Sequence, residues 1–339
     1  MLKVGIIGLG NIGMDAHMKA YDKIKANGGA VVVEAVCDIE PLRLAEVAGR
    51  GFREYTSIDE MLKCEAGKLD YIDICLPTYL HSEISIKAME AGFNVLSEKP
   101  MALNPLEAQA MIEAKNRTGK MLMIAYCNRF WEGAQYVKSI IDSGKLGAVR
   151  DAQFRREGSD NRPDGRNHNK WFWDVNLSGG AMLDLHIHDV DMIRWMFGMP
   201  TAVSAAAAGY DEGVGYDAMS VNYMYPNNVF VNASCSWFLP QNAFNSRVVR
   251  VNFERGYVYI ERTGGRQTAI MVEYGKEPVE LDKKILAFDA YYNEIVYYAD
   301  CLMSGKSPEN SLPEESIDSV KIVMAEAKSA DNGGERIAL

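Results

Sequence analysis

No CxxC pair occurs in the chain: its six cysteines, Cys37, Cys64, Cys75, Cys127, Cys235 and Cys301, stand far apart. That spacing argues against a zinc ribbon or a disulfide framework, and 339 residues are enough not to need one. Most of the cysteines read as small buried apolar residues. Also missing is an apolar run of the roughly 18 residues that a bilayer span requires. The N-terminus enters a strand pattern at once, without the apolar core and cleavage site of a signal peptide. These absences point to a cytoplasmic protein. Positive charge is in deficit, 36 Lys and Arg against 46 Asp and Glu, for a net charge of −10. Nucleic acid and membrane are therefore not expected as partners. Repeats and low-complexity tracts are absent as well. What is present is an ordinary globular composition, 48% hydrophobic and 24% charged, over a length that exceeds one core. Two domains are expected, 1–126 and 127–339.

The first domain opens with the apolar run LKVGII, followed at once by Gly8-Leu9-Gly10-Asn11-Ile12-Gly13 and a helix-like segment. A GxGxxG alone is a weak signal, but the order strand, glycines, helix gives it a mechanism. Gly8 permits the tight turn, Gly10 lets a pyrophosphate approach the backbone, and Gly13 lets helix and strand pack closely. The helix start, with Asn11 and Ile12, offers free N–H groups to the phosphates. A second strand at 30–37 ends in Asp38, whose carboxylate suits the two ribose hydroxyls of an adenosine. Asp38 and Glu40 would repel a 2′-phosphate, which favours NAD over NADP, although Arg43 lies close enough to keep NADP open.

Strand and helix patterns then alternate, as expected for a parallel sheet. The strand at 69–76 leads to Pro77-Thr78 and His81; that at 93–97 leads to Glu98-Lys99-Pro100; that at 121–126 leads to Asn128-Arg129. Between the last two, Asn104, Pro105 and Glu107 form a capping box ahead of a helix that Gly119 ends. Ligands of such sheets bind outside the carboxyl ends of the strands, so Pro77, Thr78, His81, Glu98 and Lys99 join the expected cofactor site. Pro100 keeps Lys99 out of helical geometry. Its ammonium either stabilises a substrate alkoxide or is a solvated surface charge.

The second domain is expected to carry a largely antiparallel sheet, from strand-like runs at 201–210, 218–225, 229–238, 247–254, 257–261 and 268–274. Helices cover one face. The other is expected to present Tyr223, Tyr225, Trp237 or their neighbours and to be covered by a second subunit. Ahead of the sheet, residues 155–176 are polar, with Arg156, Arg162, Arg166, His168 and Lys170, and end in Trp171-Phe172-Trp173. This stretch is a substrate-side lid or a polar excursion anchored by Trp173. It leads into SGGAMLDLHIHDVD at 178–191. At about 100° per residue, Asp184, His188 and Asp191 share one stripe of an otherwise apolar helix, with Trp195 a turn further on. Such a stripe is a site or a satisfied core pair.

The dinucleotide fingerprint, Glu98-Lys99-Pro100 and Gly179-Gly180-x-x-x-Asp184-x-x-x-His188-x-x-Asp191 together resemble one family, the glucose–fructose oxidoreductase/inositol dehydrogenase group (Gfo/Idh/MocA). The likeness runs over nearly the whole chain, including the two closing helices. It implies an α/β protein: a Rossmann domain followed by an open-faced α/β domain that mediates homodimers or homotetramers. It also implies NAD(P)-dependent oxidation of a secondary hydroxyl on a sugar, polyol or related small molecule. By motif position Lys99, Asp184 and His188 match the catalytic set. His188 then takes the hydroxyl proton, Lys99 stabilises the alkoxide and Asp184 orients substrate or imidazole. Asn128, Arg129, Trp171 and Trp173 are the expected substrate contacts.

Where the family usually has glycine, two residues after the motif aspartate, this chain has His186. On a regular helix His186 lies about 160° from Asp184, on the packed side, where a contact with Asp189 is expected. For the same reason His186 and His188 cannot converge on one ion, and no metal is expected. Two other activities are compatible with the scaffold: an NAD-dependent glycoside hydrolase, and a non-catalytic NAD-sensing regulator.

Overall fold

Apolar, β-branched runs such as VVVEAVC and YIDI build a six-stranded sheet. Its strands are β1 (Leu2–Ile7), β2 (Val31–Cys37), β3 (Arg53–Tyr55), β4 (Tyr71–Ile74), β5 (Asn94–Glu98) and β6 (Leu122–Ala125). The order is β3-β2-β1-β4-β5-β6 and every pairing is parallel. The order reverses at β1, which puts the glycine turn at the switch point where such sheets bind ligands. In this computed structural model, residues 1–159, 170–240 and 243–339 are described. Much of the expected lid, with Arg162, Arg166, His168 and the Lys170 side chain, lies outside them.

Helices α1 (Lys19–Ala26), α2 (Pro41–Val47), α3 (Ile58–Glu65), α4 (His81–Glu90) and α5 (Pro105–Thr118) connect these strands. The capping box of α5 forms as its residues dictate. Asn104 accepts from the N–H groups of Leu106 and Glu107 at 3.1 and 3.0 Å, and Gly119 ends the helix in left-handed conformation.

The chain divides into two compact units, Met1–Cys127 with Asp289–Ile317, and Asn128–Phe288 with Asp318–Leu339. The sequence reading runs the second domain unbroken from 127 to 339. In the structure the segment Asp289–Ile317 clusters instead with the first unit. The reason is burial: Ala290, Ile295, Tyr298 and Ala299 lose nearly all contact with solvent, and the Tyr298 hydroxyl donates to the Met121 carbonyl at 3.2 Å.

In the second unit nine strands form a mixed sheet in the order β14-β13-β12-β11-β7-β10-β9-β8-β15. They are β7 (Val149–Ser159), β8 (Ala202–Ala208), β9 (Ala218–Met224), β10 (Phe230–Leu239), β11 (Ser246–Phe253), β12 (Gly256–Thr263), β13 (Arg266–Glu273), β14 (Val279–Glu280) and β15 (Ile337–Ala338). Only β7 with β10 is parallel. The accompanying helices are α6 (Glu132–Ser143), α7 (Val175–Ser178) and α8 (Ile187–Phe197). Next in chain order are α9 (Ala290–Ser304), which belongs to the first unit, and α10 (Pro313–Asp331), which spans the division.

Two-residue alternation decides the faces of this sheet. Met219, Val221 and Tyr223 of β9 and Val231, Ala233, Cys235 and Trp237 of β10 are buried, whereas Asn222, Asn232 and Ser234 are only half-buried. Tyr223 and Trp237 therefore lie on the covered face, correcting the expectation that they need a second subunit. Among the described residues, no helix is long and apolar enough to cross a membrane.

Candidate active site

The glycine turn is shaped by what will not fit there. Gly8 has φ +96°, and a Cβ on it would sit 2.4 Å from the Cys75 carbonyl oxygen. A Cβ on Gly13 would lie 2.1 Å from the Gly8 carbonyl oxygen, so strand and helix approach as only glycines allow. On Gly10 a Cβ would meet nothing within 4 Å, which leaves that side of the turn open. Asn11 and Ile12 are exposed at the helix start. Asp38 braces the turn: its carboxylate accepts from the N–H groups of Leu9 at 2.7 Å and Glu40 at 2.9 Å. Arg43 donates to the Leu9 carbonyl at 3.0 Å.

At the next strand exits, Thr78 is buried and Pro77 half-buried. The buried His81 ring lies between two carbonyls, 2.7 Å from Pro100 and 2.8 Å from Leu76. It ties the exits of β4 and β5 together, and burial pushes its pKa down. Glu98, expected at the cofactor, is buried; one carboxylate oxygen is 3.0 Å from His17 Nε2 and the other accepts from the Lys99 N–H at 3.0 Å. Lys99 itself is half-buried and joined to Pro100 by a cis peptide. The sequence reading missed His17, Asp73 and Glu294, which surround Glu98's partners in the first unit. Asp73 and Glu294 are each a lone ionisable group within an apolar stretch, the signal that could have found them.

In the second unit the glycines at 179 and 180 are followed by a π-type turn, Met182–His186, before α8 begins. A π turn bonds i to i+5 and often marks a functional site. Asp184 and His188 are half-buried, whereas Asp191, expected in the same stripe, is fully buried.

The acids on the packed side are taken by arginines. Arg129 donates from Nε and Nη2 to the two oxygens of Asp191 at 2.8 and 2.7 Å, and Ser319 adds a third donor at 3.1 Å. Arg156 makes the same fork with Asp189, at 2.9 and 2.7 Å. Arg129, expected to touch substrate, is fully buried with its guanidinium on Asp191. Asn128 is buried too and accepts from Arg247 at 3.1 Å.

The expected His186–Asp189 contact is overturned. His186 Nε2 lies 3.1 Å from the Tyr223 hydroxyl and 3.3 Å from Glu326, while Tyr223 donates to Glu326 at 2.7 Å. His186 thus faces β9 and α10, and Asp189 pairs with Arg156. Trp173 packs on Trp237 with ring centroids 5.1 Å apart, and Trp237 donates to Asp217 at 2.6 Å, so Trp173 anchors the aromatic core. Trp171 is half-buried against Phe172.

The first unit thus has the parts a dinucleotide requires: an open approach at Gly10, tight packing at Gly8 and Gly13, and a carboxylate ending β2. Residues 2–126 match the oxidoreductase family with an NAD-binding Rossmann fold, and residues 134–259 match the GFO/IDH/MocA C-terminal domain. Inositol 2-dehydrogenase of Rhizobium meliloti (strain 1021) is 30% identical over 226 residues, 65% of this chain and 64% of that protein. Levoglucosan dehydrogenase of Pseudarthrobacter phenanthrenivorans is 31% identical over 211 residues, 60% of this chain and 53% of that one. The chain thus matches just under two thirds of the length of the first relative and about half of the second. In fold it resembles the aldose-aldose oxidoreductase of Caulobacter crescentus, crystallised with glycerol: TM-score 0.87 and 21% identity, covering 100% of this chain and 99% of that one. With its two domain matches in the order that the glycine turn and the Asp184–His188 motif require, the chain belongs to the GFO/IDH/MocA family of NAD-binding oxidoreductases.

Proposed function

We propose that this protein is an NAD-dependent dehydrogenase that oxidises a secondary hydroxyl of a sugar or polyol. The observation that carries the reading is the difference between neighbours on one helix. Asp189 and Asp191 are buried in two-point arginine pairs, whereas Asp184 and His188 keep partial exposure. A helix held rigidly on its packed side presents these two groups at the motif positions of an oxidoreductase family.

Bound NAD supplies a two-electron hydride acceptor, held at the Gly8–Gly13 turn and Asp38. His188 takes the hydroxyl proton as general base, the role in which an imidazole most often serves. Lys99, by its motif position, lowers the energy of a developing alkoxide through a hydrogen bond. Asp184 orients the substrate or the imidazole, and Trp171 remains a candidate specificity contact. The relatives named for inositol and levoglucosan support a cyclic polyhydroxylated substrate.

The open face of the large sheet carries half-buried Tyr257, Tyr259, Ile270 and Val272, neighbours by strand register, and a second copy of the chain is the occupant that suits it. Light scattering in solution tests this: a dimer or tetramer is expected, and a monomer at high concentration contradicts it. The six free cysteines suit a reducing compartment, the cytoplasm.

The functional test incubates the purified protein with NAD or NADP and myo-inositol, levoglucosan, D-glucose or a methyl glucoside. NADH accumulation with at least one of them is expected. Glycoside cleavage with NAD unchanged would make the protein a hydrolase instead, and NAD binding without turnover would make it a regulator.

A further inference from the structure

His17 is fully buried in the π-type turn Gly13–Met18 that follows the glycine loop. Its Nδ1 lies 2.8 Å from Asp73 and its Nε2 lies 3.0 Å from Glu98. A carboxylate can only accept, so both ring nitrogens must carry protons for both contacts to be hydrogen bonds. Asp73 also accepts from the Tyr21 hydroxyl at 2.8 Å and faces the Cys75 thiol at 3.7 Å. The second oxygen of Glu98 accepts from the Lys99 N–H at 3.0 Å.

The last member of the cluster comes from α9. Glu294 is fully buried, and neither carboxyl oxygen has a hydrogen-bond partner among the described residues. It lies within 4.8 Å of both Glu98 and the His17 ring. Tyr291, from the same helix, packs against His17 at 5.6 Å between ring centroids.

We propose that His17 is a positioning residue for Lys99: donating from both ring nitrogens, it ties Asp73 to Glu98, and the Glu98 carboxylate so fixed holds the backbone N–H of Lys99. The proposal rests on the assignment of Lys99 to the reacting oxygen. The groups around the ring set its charge. Burial pulls an imidazole toward its neutral form, but Asp73, with Cys75, carries the balance the other way and the pKa rises well above the ordinary range. Glu294 goes in the opposite sense: burial, with Glu98 and Asp73 nearby, keeps it a neutral acid. The cluster then holds one cation between two carboxylates, and the neutral fourth member adds no charge. Gln in place of His17 has no charge and donates from a single nitrogen, so it cannot bridge Asp73 and Glu98 as the two ring nitrogens do, and Glu98 is free to move. A misplacement of about 1 Å at a reacting group costs about a hundredfold in rate.

The first measurement needs no variant. In the NAD-saturated protein, nitrogen NMR of labelled histidine should find both His17 ring nitrogens protonated at neutral pH, above the ordinary value of about 6.5. A His17 ring with one bare nitrogen there overturns the proposal. The second measurement compares His17→Gln, Lys99→Ala and the double variant, using NAD and whichever panel compound the wild type oxidises fastest. His17→Gln should lower kcat about ten- to a hundredfold with Kd for NAD within about threefold, and add little in the Lys99→Ala background. Equal loss in both backgrounds, or full kcat in folded His17→Gln while Lys99→Ala is slow, overturns it. Full kcat in Lys99→Ala would instead show that the reading of Lys99 has failed, whatever the NMR finds.

Discussion

Arg129 and Asp191 meet as a two-point ion pair, with N–O distances of 2.8 and 2.7 Å and neither side chain exposed. The pair joins the start of the second unit to the middle of α8, and Arg156 with Asp189 repeats it one position beyond His188. Removing one partner of such a pair leaves an uncompensated charge in the core. Arg129→Met should therefore destabilise the fold by about 3–5 kcal/mol. Arg129→Met with Asp191→Leu should recover most of that, because the burden is the orphaned carboxylate and not the lost attraction. Denaturant unfolding of the three proteins distinguishes them; equal loss in single and double variants would contradict the account.

Glu294 gives stability a pH dependence of known sign. Its native pKa lies well above the ordinary carboxyl value, so the folded state keeps a proton that the unfolded state releases. The associated stability is complete below the unfolded pKa of about 4.3 and is lost as pH rises toward the native value, at about 1.4 kcal/mol per pH unit. Glu294→Gln carries no such proton. Its stability relative to wild type should rise as pH increases above about 5. A constant difference over that range would mean that Glu294 is ionised in the folded protein.

Asp38 has a structural duty, and the proposed function gives it a selective one. It braces the turn through Leu9 and Glu40, and its charge opposes a 2′-phosphate. Asp38→Ser should raise the ratio of kcat/KM for NADP over NAD by about ten- to a hundredfold, mostly by impairing NAD. Steady-state kinetics with both cofactors measures it. An unchanged ratio would remove Asp38 from cofactor choice.

The local physics of this protein was legible in its sequence. The glycine turn, the apolar parallel strands, Asp38 ending β2 and the capping box at Asn104 each depend on residues a few positions apart. The pattern of ionisable groups near Asp184 was legible as well, but not its partners. Arg129 reaches Asp191 across 62 positions and Arg156 reaches Asp189 across 33, distances over which periodicity carries no information. The helical wheel put His186 on the packed side, where it is buried, but it carries no information on partners that come from β9 and α10, nor on Asp191, whose partner is Arg129 in the core. Glu294 was missed because α9 follows the second sheet in sequence yet packs in the first unit.

His188→Ala tests the central claim most directly. With a sugar or polyol that the wild type oxidises, kcat for NADH formation should fall by about two to four decades while the Kd for NAD stays unchanged. Near-full turnover in a folded, NAD-binding His188→Ala would contradict its role as the base and, with it, the catalytic reading of this helix.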